Sequence, residues 1–377
     1  MIYLDNNATT PLDPRVLEAM QPYLNERFGN PSSNHEYGWK ANSAVVRARR
    51  QVGQLIKAKA NQITFTSGAT ESNHLVIQGV LLKQLLDTKE KIHLISTEVE
   101  HKCVLEALKR CEEFGAEITI LPVDEFGCVT ADQIEAALRP ETKLVSVIFA
   151  NNEVGSINPI SEIGEVCKKH KILFHTDAAQ AFGKVEIDVE VMNIDFLSIS
   201  AHKIYGPKGV GALFSRVKPK ENLKPLIAGG GQEAGVRAGT LNVPGIIGLG
   251  EASELAGQEL ASEAIRLRKL SDELLSSLKS VCPEIKLNGD PLNRLPGNLS
   301  LSFPGLNPDL FDTELDELAF STSSACGASE MKGSYVLAAI GLNEATSLST
   351  LRLGLGRFTT EQELNKAIEW IVNMLRA

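Results

Sequence analysis

Short runs rich in Val, Ile and Leu alternate with amphipathic stretches between residues 63 and 214, and this alternation limits the possible folds more than any other feature. Continuous apolar runs separated by helices are typical of a mainly parallel sheet that is covered on both faces. We therefore predict an α/β fold, with helices at 69–86, 101–114, 130–138 and 160–170. The predicted strands lie at 63–66, 93–96, 117–121, 144–149, 172–175, 196–200 and 210–214, the last of them antiparallel to its neighbour.

The pattern changes near residue 245, where a long helical stretch, 245–280, begins. Beyond it, the run Leu299-Ser300-Leu301-Ser302-Phe303 alternates between apolar and polar residues, which predicts a half-exposed antiparallel sheet. We predict a large domain over 14–257 and a smaller α+β domain over 1–13 and 258–377. The remaining predicted elements are helices at 14–24, 36–56, 309–318 and 361–375 and strands at 285–287 and 351–355.

Composition limits the classes of partner. The 377 residues carry a formal net charge of −9 and contain no long basic run, which argues against a nucleic-acid groove. No apolar stretch has the length of a membrane span, and the chain enters a strand-like stretch at once without a leader. We therefore expect a cytoplasmic protein that binds neither nucleic acid nor membrane. The six cysteines form no CxxC pair, and we expect free thiols and no metal site.

Ligands of open parallel sheets bind beyond the carboxyl ends of the strands, and polar residues follow several predicted strands here. Ser67-Gly68-Ala69-Thr70-Glu71 opens a helix whose free N–H groups suit a phosphate, although an ordinary N-cap is an equal alternative. Asn151 and Asn152 follow strand 144–149, where Asn is more often a turn former than a ligand contact. Asp177 follows strand 172–175, where it could pair with a ring cation or cap a helix.

The strand at 196–200 ends in Ser200-Ala201-His202-Lys203. A lysine that is desolvated at such a position becomes a nucleophile for an aldehyde, whereas a lone lysine is usually exposed. Together these strand ends supply a phosphate cradle, an acid for a ring nitrogen and an aldehyde-capturing amine, which are the anchors that pyridoxal phosphate needs. The glycine run at 229–234 matches a dinucleotide-binding pattern only weakly, because no long strand precedes it in a βαβ unit.

Seven motifs spread over most of the chain carry a resemblance to a known family. They are DNNATTP, TSGATES, EHK at 100–102, NNEVG, DAAQ, SAHKIYGPKGVG and GGGQ followed by GT. In these motifs the chain resembles the cysteine desulfurases, which belong to the class V aminotransferase group of fold-type I pyridoxal-phosphate enzymes. The resemblance implies a homodimer with a large sheet domain, a smaller α+β domain and pyridoxal phosphate as the cofactor.

The same resemblance assigns roles to residues of the motifs. Lys203 would bond the aldehyde carbon of the cofactor, Asp177 would pair with the ring nitrogen, and Gln180 would bind the ring hydroxyl oxygen. His101 would stack on the ring and relay protons, although outside the motif a capping or core histidine is the better interpretation. The remaining cofactor contacts implied by the family are Ala69, Thr70, Ser200 and His202, together with Thr240, which would reach the phosphate of the partner subunit.

Cys326 lies in a run of small residues that resembles the family's cysteine loop. An isolated cysteine is more often a buried filler, but Ser, Gly and Ala neighbours make a poor core and favour a mobile loop with an accessible thiol. Arg352 lies between two leucines and would grip the substrate carboxylate, and Asn152 would contact the same region. The chain departs from the family at Gly327-Ala328, Ala234, Ala238 and Lys332-Gly333, and no departure removes a catalytic group.

The resemblance implies conversion of L-cysteine to L-alanine, with Cys326 taking the sulfur as a persulfide. The sulfur would then pass to an acceptor protein, such as an iron–sulfur scaffold or a thiolation carrier. A selenocysteine lyase or another class V β-lyase is an alternative, because it would keep the cofactor site and depend less on Cys326. A non-catalytic adaptor that retains the fold is an alternative of another class, against which the presence of Lys203, Asp177 and Cys326 argues.

Overall fold

The computed structural model describes residues 1–88, 90–315, 317–322 and 333–376. The strands are β1 Ile2–Tyr3, β2 Ile63–Thr66, β3 His93–Thr97, β4 Glu117–Leu121, β5 Thr142–Ser146, β6 Leu173–Asp177, β7 Phe196–Ser200, β8 Gly211–Ser215, β9 Lys286–Leu287, β10 Asn298–Ser302, β11 Leu318–Ala319, β12 Ser321–Thr322 and β13 Thr350–Gly354. The helices are α1 Pro14–Met20, α2 Pro22–Asn25, α3 Glu36–Leu55, α4 Ala69–Asp87, α5 Lys102–Glu113, α6 Ala131–Ala137, α7 Ile160–His170, α8 Pro219–Asn222, α9 Val243–Val281, α10 Asp309–Glu314, α11 Tyr335–Ala339, α12 Glu344–Leu348 and α13 Glu361–Arg376.

A seven-stranded sheet in the order β2-β8-β7-β6-β5-β3-β4 forms the larger part of the molecule. Strands β3 to β7 pair in parallel, and β8 runs antiparallel to β2 and β7. Every residue of β7 and β8 is buried, as expected for strands covered on both faces. The predicted α/β fold with a mainly parallel sheet and an antiparallel strand at 210–214 is therefore confirmed.

A four-stranded antiparallel sheet, β12-β13-β10-β9, forms a second layer with its own apolar core. The prediction that this sheet is half-exposed is wrong, because every residue of β10 is buried. The polar side of β10 meets other polar side chains instead of water. Asn288 donates hydrogen bonds to Ser300 (3.1 Å) and Ser302 (2.8 Å), and the Ser302 hydroxyl lies 2.7 Å from that of Thr350.

The long helix α9 contributes to both cores. Leu249, Ala252 and Leu255 pack with the large-sheet core, whereas Leu270 and Leu274 belong to the core of the smaller sheet. The predicted boundary between residues 257 and 258 therefore falls inside one continuous helix, and the domain limits stay a prediction. The helix predicted at 14–24 is divided in two at Pro22, because proline cannot donate the backbone hydrogen bond that would continue α1.

Within the described residues, no helix combines the length and apolarity that a membrane crossing requires.

The N-terminal segment connects the two sheets. Strand β1 pairs in parallel with β11, and Asp5 bridges to Gly354 of β13. The chain then crosses to the large sheet, where the Thr10 N–H donates to the carbonyl oxygen of His202 (3.0 Å) and the Asp13 N–H to that of Tyr205 (3.0 Å). Residues 5–13 are therefore held against the carboxyl end of β7.

Asp13 fixes the end of this segment through two ion pairs. Its carboxylate lies 2.8 Å from Arg15 and 3.0 Å from Arg357, and its side chain is 1% exposed. Arg357 in turn pairs with Glu263 (2.9 Å) and lies over the Tyr205 ring. The hydrogen bond from Arg15 is the main cause that lowers the pKa of Asp13 from 3.8 to about 2.

Because the pKa of Asp13 is lowered in the folded state, its ionised form stabilises the protein above pH 3.8, and this contribution disappears as the pH falls towards 2. We expect Asp13→Asn to reduce the free energy of unfolding at neutral pH by about 2 kcal/mol, since asparagine keeps the N-cap but removes a buried anion that two arginines share. The difference from wild type should narrow as the pH falls from 3.8 to 2 in urea titrations.

Glu36→Gln is the control, because Glu36 pairs with Lys40 on an exposed helix face and its loss should leave the stability near that of wild type. A loss in Asp13→Asn that stays constant over the acid range would contradict the assignment of the effect to the Asp13 charge.

Candidate active site

A cavity of about 560 Å³ opens at the carboxyl ends of the parallel strands, between the large sheet and the N-terminal segment. Residues 7–9, the turn before α4, the start of α5 and the ends of β5, β6 and β7 all contribute to its wall. The structure brings together most of the residues that the sequence singles out. The lining includes Ala69, Thr70, His101, Asn152, Asp177, Gln180, Ser200, His202, Lys203 and Arg352.

Lys203 lies in a short 3-10 turn directly after β7, and its amine reaches the cavity. Nζ donates hydrogen bonds to the backbone carbonyl oxygens of Asn7 (2.6 Å) and Ala8 (2.7 Å). Both acceptors belong to the segment that arrives from the smaller sheet. These two hydrogen bonds place the amine of Lys203 within the cavity wall.

Asp177 ends β6 and is 4% exposed. Its Oδ2 accepts a hydrogen bond from Nδ2 of Asn73 (2.7 Å), and its Oδ1 accepts one from the N–H of Ala179 (2.9 Å). Asn73 lies one turn inside α4, so this helix orients the carboxylate that β6 supplies. The arrangement fixes a single buried acid at the floor of the cavity.

The start of α4 offers backbone donors to the same cavity. The first bond within the helix runs from the Ser72 N–H to the Gly68 carbonyl, and a helix leaves the N–H groups before that point without partners in the helix. Glu71, in the first turn, pairs with Arg237 (2.8 Å). A Cβ on Gly211 would lie 2.6 Å from the Cα of Gly68, so only glycine lets β8 pass this turn.

His101 is the N-cap of α5, and its ring lines the cavity. Nδ1 accepts a hydrogen bond from the backbone N–H of Cys103 (3.2 Å) and lies 3.0 Å from the Cys103 sulfur. Burial lowers the pKa of His101, and the charge of Lys203 acts in the same direction while Asp177 opposes it. With Nδ1 accepting, the neutral ring carries its proton on Nε2.

His202 is also neutral at physiological pH. Burial and the nearby charges of Lys203 and Lys208 lower its pKa to about 4. Its Nδ1 lies 3.1 Å from the hydroxyl of Thr9, which ties the ring to the N-terminal segment. The imidazole therefore adds hydrogen-bonding capacity to this side of the cavity without adding a charge.

Glu100 lies beneath His101 and is fully buried. One carboxyl oxygen accepts hydrogen bonds from the Thr97 hydroxyl (2.8 Å) and the Ile148 N–H (2.8 Å), and the other has no partner within the described part of the chain. Burial raises the pKa of Glu100 to about 8, with Asp177 acting in the same direction. Burial therefore favours the neutral form of Glu100, below the floor of the cavity on which Asp177 lies.

Arg352 projects from β13 of the smaller sheet into the cavity wall. One terminal nitrogen donates to Asp5 (3.0 Å) and to the hydroxyl of Ser321 (2.7 Å). Its Nε is buried and has no hydrogen-bond partner among the described residues. Asp5 and Ser321 therefore hold one edge of the guanidinium, and its other N–H groups can donate to an anionic ligand.

Of the predicted site residues that the structure describes, Thr240 is not part of this cavity wall. Thr240 is exposed in the loop before α9, and its predicted contact with the partner's cofactor phosphate stays a prediction. Cys326 lies outside the described residues, as does most of the run 321–329 for which the sequence predicts a mobile loop.

Sequence reasoning missed several residues that build the site. Asn7 and Ala8 offer backbone oxygens, Asn73 acts from the second turn of a helix, and Glu100 is hidden below the wall. Asn73 could have been suspected, since an amide at the third position after Thr70 lies on the same helix face. The chain pattern gave no signal for the backbone contacts of Asn7 and Ala8.

The geometry can therefore hold an anion at the start of α4, a cationic ring nitrogen at Asp177 and a carbonyl compound at Lys203. Comparison with known proteins identifies one family with these properties. The chain matches the family described as "Aminotransferase class-V" over residues 2–366.

Curated relatives share this similarity over the whole chain. The human protein named cysteine desulfurase is 47% identical over 98% of this chain and 80% of its own length. Cysteine desulfurase IscS of Rickettsia bellii is 46% identical over 100% of this chain and 92% of its own length.

Solved structures agree with the sequence matches. A NifS-like protein superposes with a TM-score of 0.91 at 36% identity, covering 100% of this chain and 99% of the other. A structure described as SspA in complex with cysteine superposes with a TM-score of 0.84 at 39% identity, covering 96% of this chain and all of the other. The chain therefore belongs to the cysteine desulfurases of the class-V aminotransferase family, enzymes that depend on pyridoxal phosphate.

Proposed function

We propose that this protein converts L-cysteine to L-alanine with pyridoxal phosphate in the cavity, and that the sulfur passes first to Cys326 and then to an acceptor. The observation that carries the proposal is the meeting of Lys203, Asp177 and the start of α4 at one cavity in a chain that matches cysteine desulfurases from end to end. Each of these groups has a separate use in binding that cofactor.

The residues present fit pyridoxal phosphate. When bound, the cofactor withdraws electrons from the α carbon of an amino acid through its protonated ring. Asp177 supplies the counter-charge for the ring nitrogen, and Asn73 keeps that carboxylate in place. Gln180 offers an amide donor for the ring oxygen, and His101 offers a flat neutral ring for stacking.

The phosphate would lie at the start of α4, where the N–H groups of Ala69 and Thr70 precede the first hydrogen bond within the helix and the helix dipole favours an anion. Ser200 and neutral His202 add donors from the end of β7. Thr240 of the second subunit is proposed to complete this site in a homodimer. The homodimer itself is a proposal that rests on the family.

Lys203 is proposed to have two roles. Its amine would hold the aldehyde carbon of the cofactor, and once the amino group of the substrate has taken its place it would act as the base for the α proton. The carbonyl oxygens of Asn7 and Ala8 accept hydrogen bonds from Nζ and so place this nitrogen at the cavity wall. His101 has its Nε2 proton available for the substrate sulfur or the ring.

The sulfur step involves Cys326. Its thiolate would attack the substrate sulfur and form an S–S bond, while the electron pair of the Cβ–S bond stays with the β carbon. Protonation of that carbon gives alanine, and the sulfur remains on Cys326 as a persulfide. An iron–sulfur scaffold or a thiolation carrier is the proposed acceptor, and the cytoplasm is the proposed location, although relatives named as mitochondrial also exist.

We expect wild-type protein to release alanine from L-cysteine and to gain one sulfur on Cys326 in peptide mass spectrometry. Cys326→Ala should still bind the cofactor but lose at least about a hundredfold in alanine formation, because the variant lacks the thiolate that is proposed to attack the substrate sulfur.

Cys103→Ala is the matched control, since Cys103 also lines the cavity. Burial raises the pKa of Cys103 to about 11, so its thiolate is scarce at neutral pH and persulfide transfer to Cys326 should continue without it. A Cys326→Ala variant with full activity, together with persulfide on Cys103, would overturn the proposal and favour a lyase.

Arg352 is proposed to bind the substrate carboxylate, with Asn152 beside it. Arg352→Lys keeps the charge but loses the planar fork, so we expect KM for L-cysteine to rise about tenfold. The affinity for pyridoxal phosphate, measured by fluorescence titration, should change much less. An unchanged KM would leave Arg352 as a structural partner of Asp5 and Ser321.

A further inference from the structure

Lys184 is a titratable side chain next to the active site that the proposed reaction does not use. It follows β6 by seven residues, and its Nζ donates a hydrogen bond to Oε1 of Gln180 (3.0 Å). On its other side it borders a small cavity together with Tyr205 and Glu263. Lys184 therefore lies between Gln180 of the active site and an internal cavity.

The hydrogen bonds around Gln180 determine which way its amide points. Lys184 donates to the amide oxygen when it is charged, since an ammonium group has no acceptor. The Asn7 carbonyl can only accept, and it receives a hydrogen bond from Nε2 of Gln180 (2.7 Å). The oxygen of the amide is therefore held towards Lys184, and the second N–H of Nε2 is the group that Gln180 has left for the active-site cavity.

The same contacts connect Lys184 to Lys203. The Asn7 carbonyl accepts from Gln180 and also from Lys203 (2.6 Å), so a continuous chain of hydrogen bonds joins the two lysines. Burial lowers the pKa of Lys184 to about 7, and the charges of Lys203 and Arg352 act in the same direction while Glu263 opposes them. Each lysine thus disfavours the charged form of the other.

We propose that Lys184 is a positioning residue for the cofactor site: it fixes the Gln180 amide so that an N–H faces the ring oxygen, and in its charged form it stabilises that oxygen as an anion. This inference rests on the proposed function, because it takes pyridoxal phosphate as the ligand. Lys184 acts through Gln180 and touches neither the cofactor nor the substrate.

When the Lys203 nitrogen is bonded to the cofactor, Lys184 should change how tightly that nitrogen holds its proton. A donor and a cation near the ring oxygen make that oxygen less basic, which weakens its hold on the shared proton. Removing Lys184 takes away both effects, so the proton should be held more tightly. The pH at which the absorbance of the bound cofactor changes should therefore rise.

The test is a pH titration of the absorbance of the cofactor-loaded protein. For Lys184→Met we expect the midpoint to rise by about one pH unit, and for Lys184→Arg, which keeps a charged donor, by less than half of that. When Gln180 is already replaced by alanine, Lys184→Met should raise the midpoint by only a small part of the shift that it causes in the wild-type protein. If the methionine variant does not fold, Lys184→Gln provides the same test with a polar, neutral side chain.

Lys109→Met is the control, because Lys109 is an exposed lysine of α5 that does not line the active-site cavity. Its midpoint should stay close to that of wild type. An unchanged midpoint in Lys184→Met, or a full shift in the absence of Gln180, would overturn the positioning role. A wild-type protein that shows no absorbance of bound cofactor would instead contradict the proposed function and, with it, this inference.

Discussion

The hydrogen bonds from the Lys203 amine to the carbonyl oxygens of Asn7 and Ala8 connect the parts of the molecule on which the site depends. Lys203 belongs to the end of a buried strand of the large sheet, whereas residues 7 and 8 come directly from the bridge between Asp5 and the smaller sheet. The cavity exists because these two parts meet there. Ion pairs of Asp13 secure the far end of the same segment.

Burial influences which of the titratable side chains around the cavity carry a charge. Burial disfavours the charged forms of His101, His202 and Glu100. Asp177 is held by an amide and a backbone N–H and faces the cavity as an acid. This arrangement suits a cofactor that carries a cationic ring nitrogen and an anionic phosphate, because Asp177 and the start of α4 lie at different places in the same cavity wall.

The strand ends could be predicted from sequence because apolar runs followed by Gly, Ser or Asp are local patterns, and parallel strands bring such ends together. The contacts that position those residues join distant parts of the chain, as between Asn73 and Asp177 or between Gln180 and Asn7, and no periodic sequence pattern marks them. The alternation of apolar and polar residues in β10 predicted a solvent-exposed face. That prediction is wrong because the serines of this strand form hydrogen bonds with Asn288 and Thr350 instead of water. Burial of polar residues depends on partners that the local pattern does not contain.

The central claim is that this meeting point makes Lys203 the residue that carries the cofactor. The most direct measurement is borohydride reduction of wild-type protein loaded with pyridoxal phosphate, followed by peptide mapping. Lys184 and Lys208 border the same region and serve as internal controls. We expect the mass of the cofactor on the peptide that contains Lys203 and not on the peptides that contain Lys184 or Lys208. Labelling of another lysine, or of none, would contradict the role of Lys203.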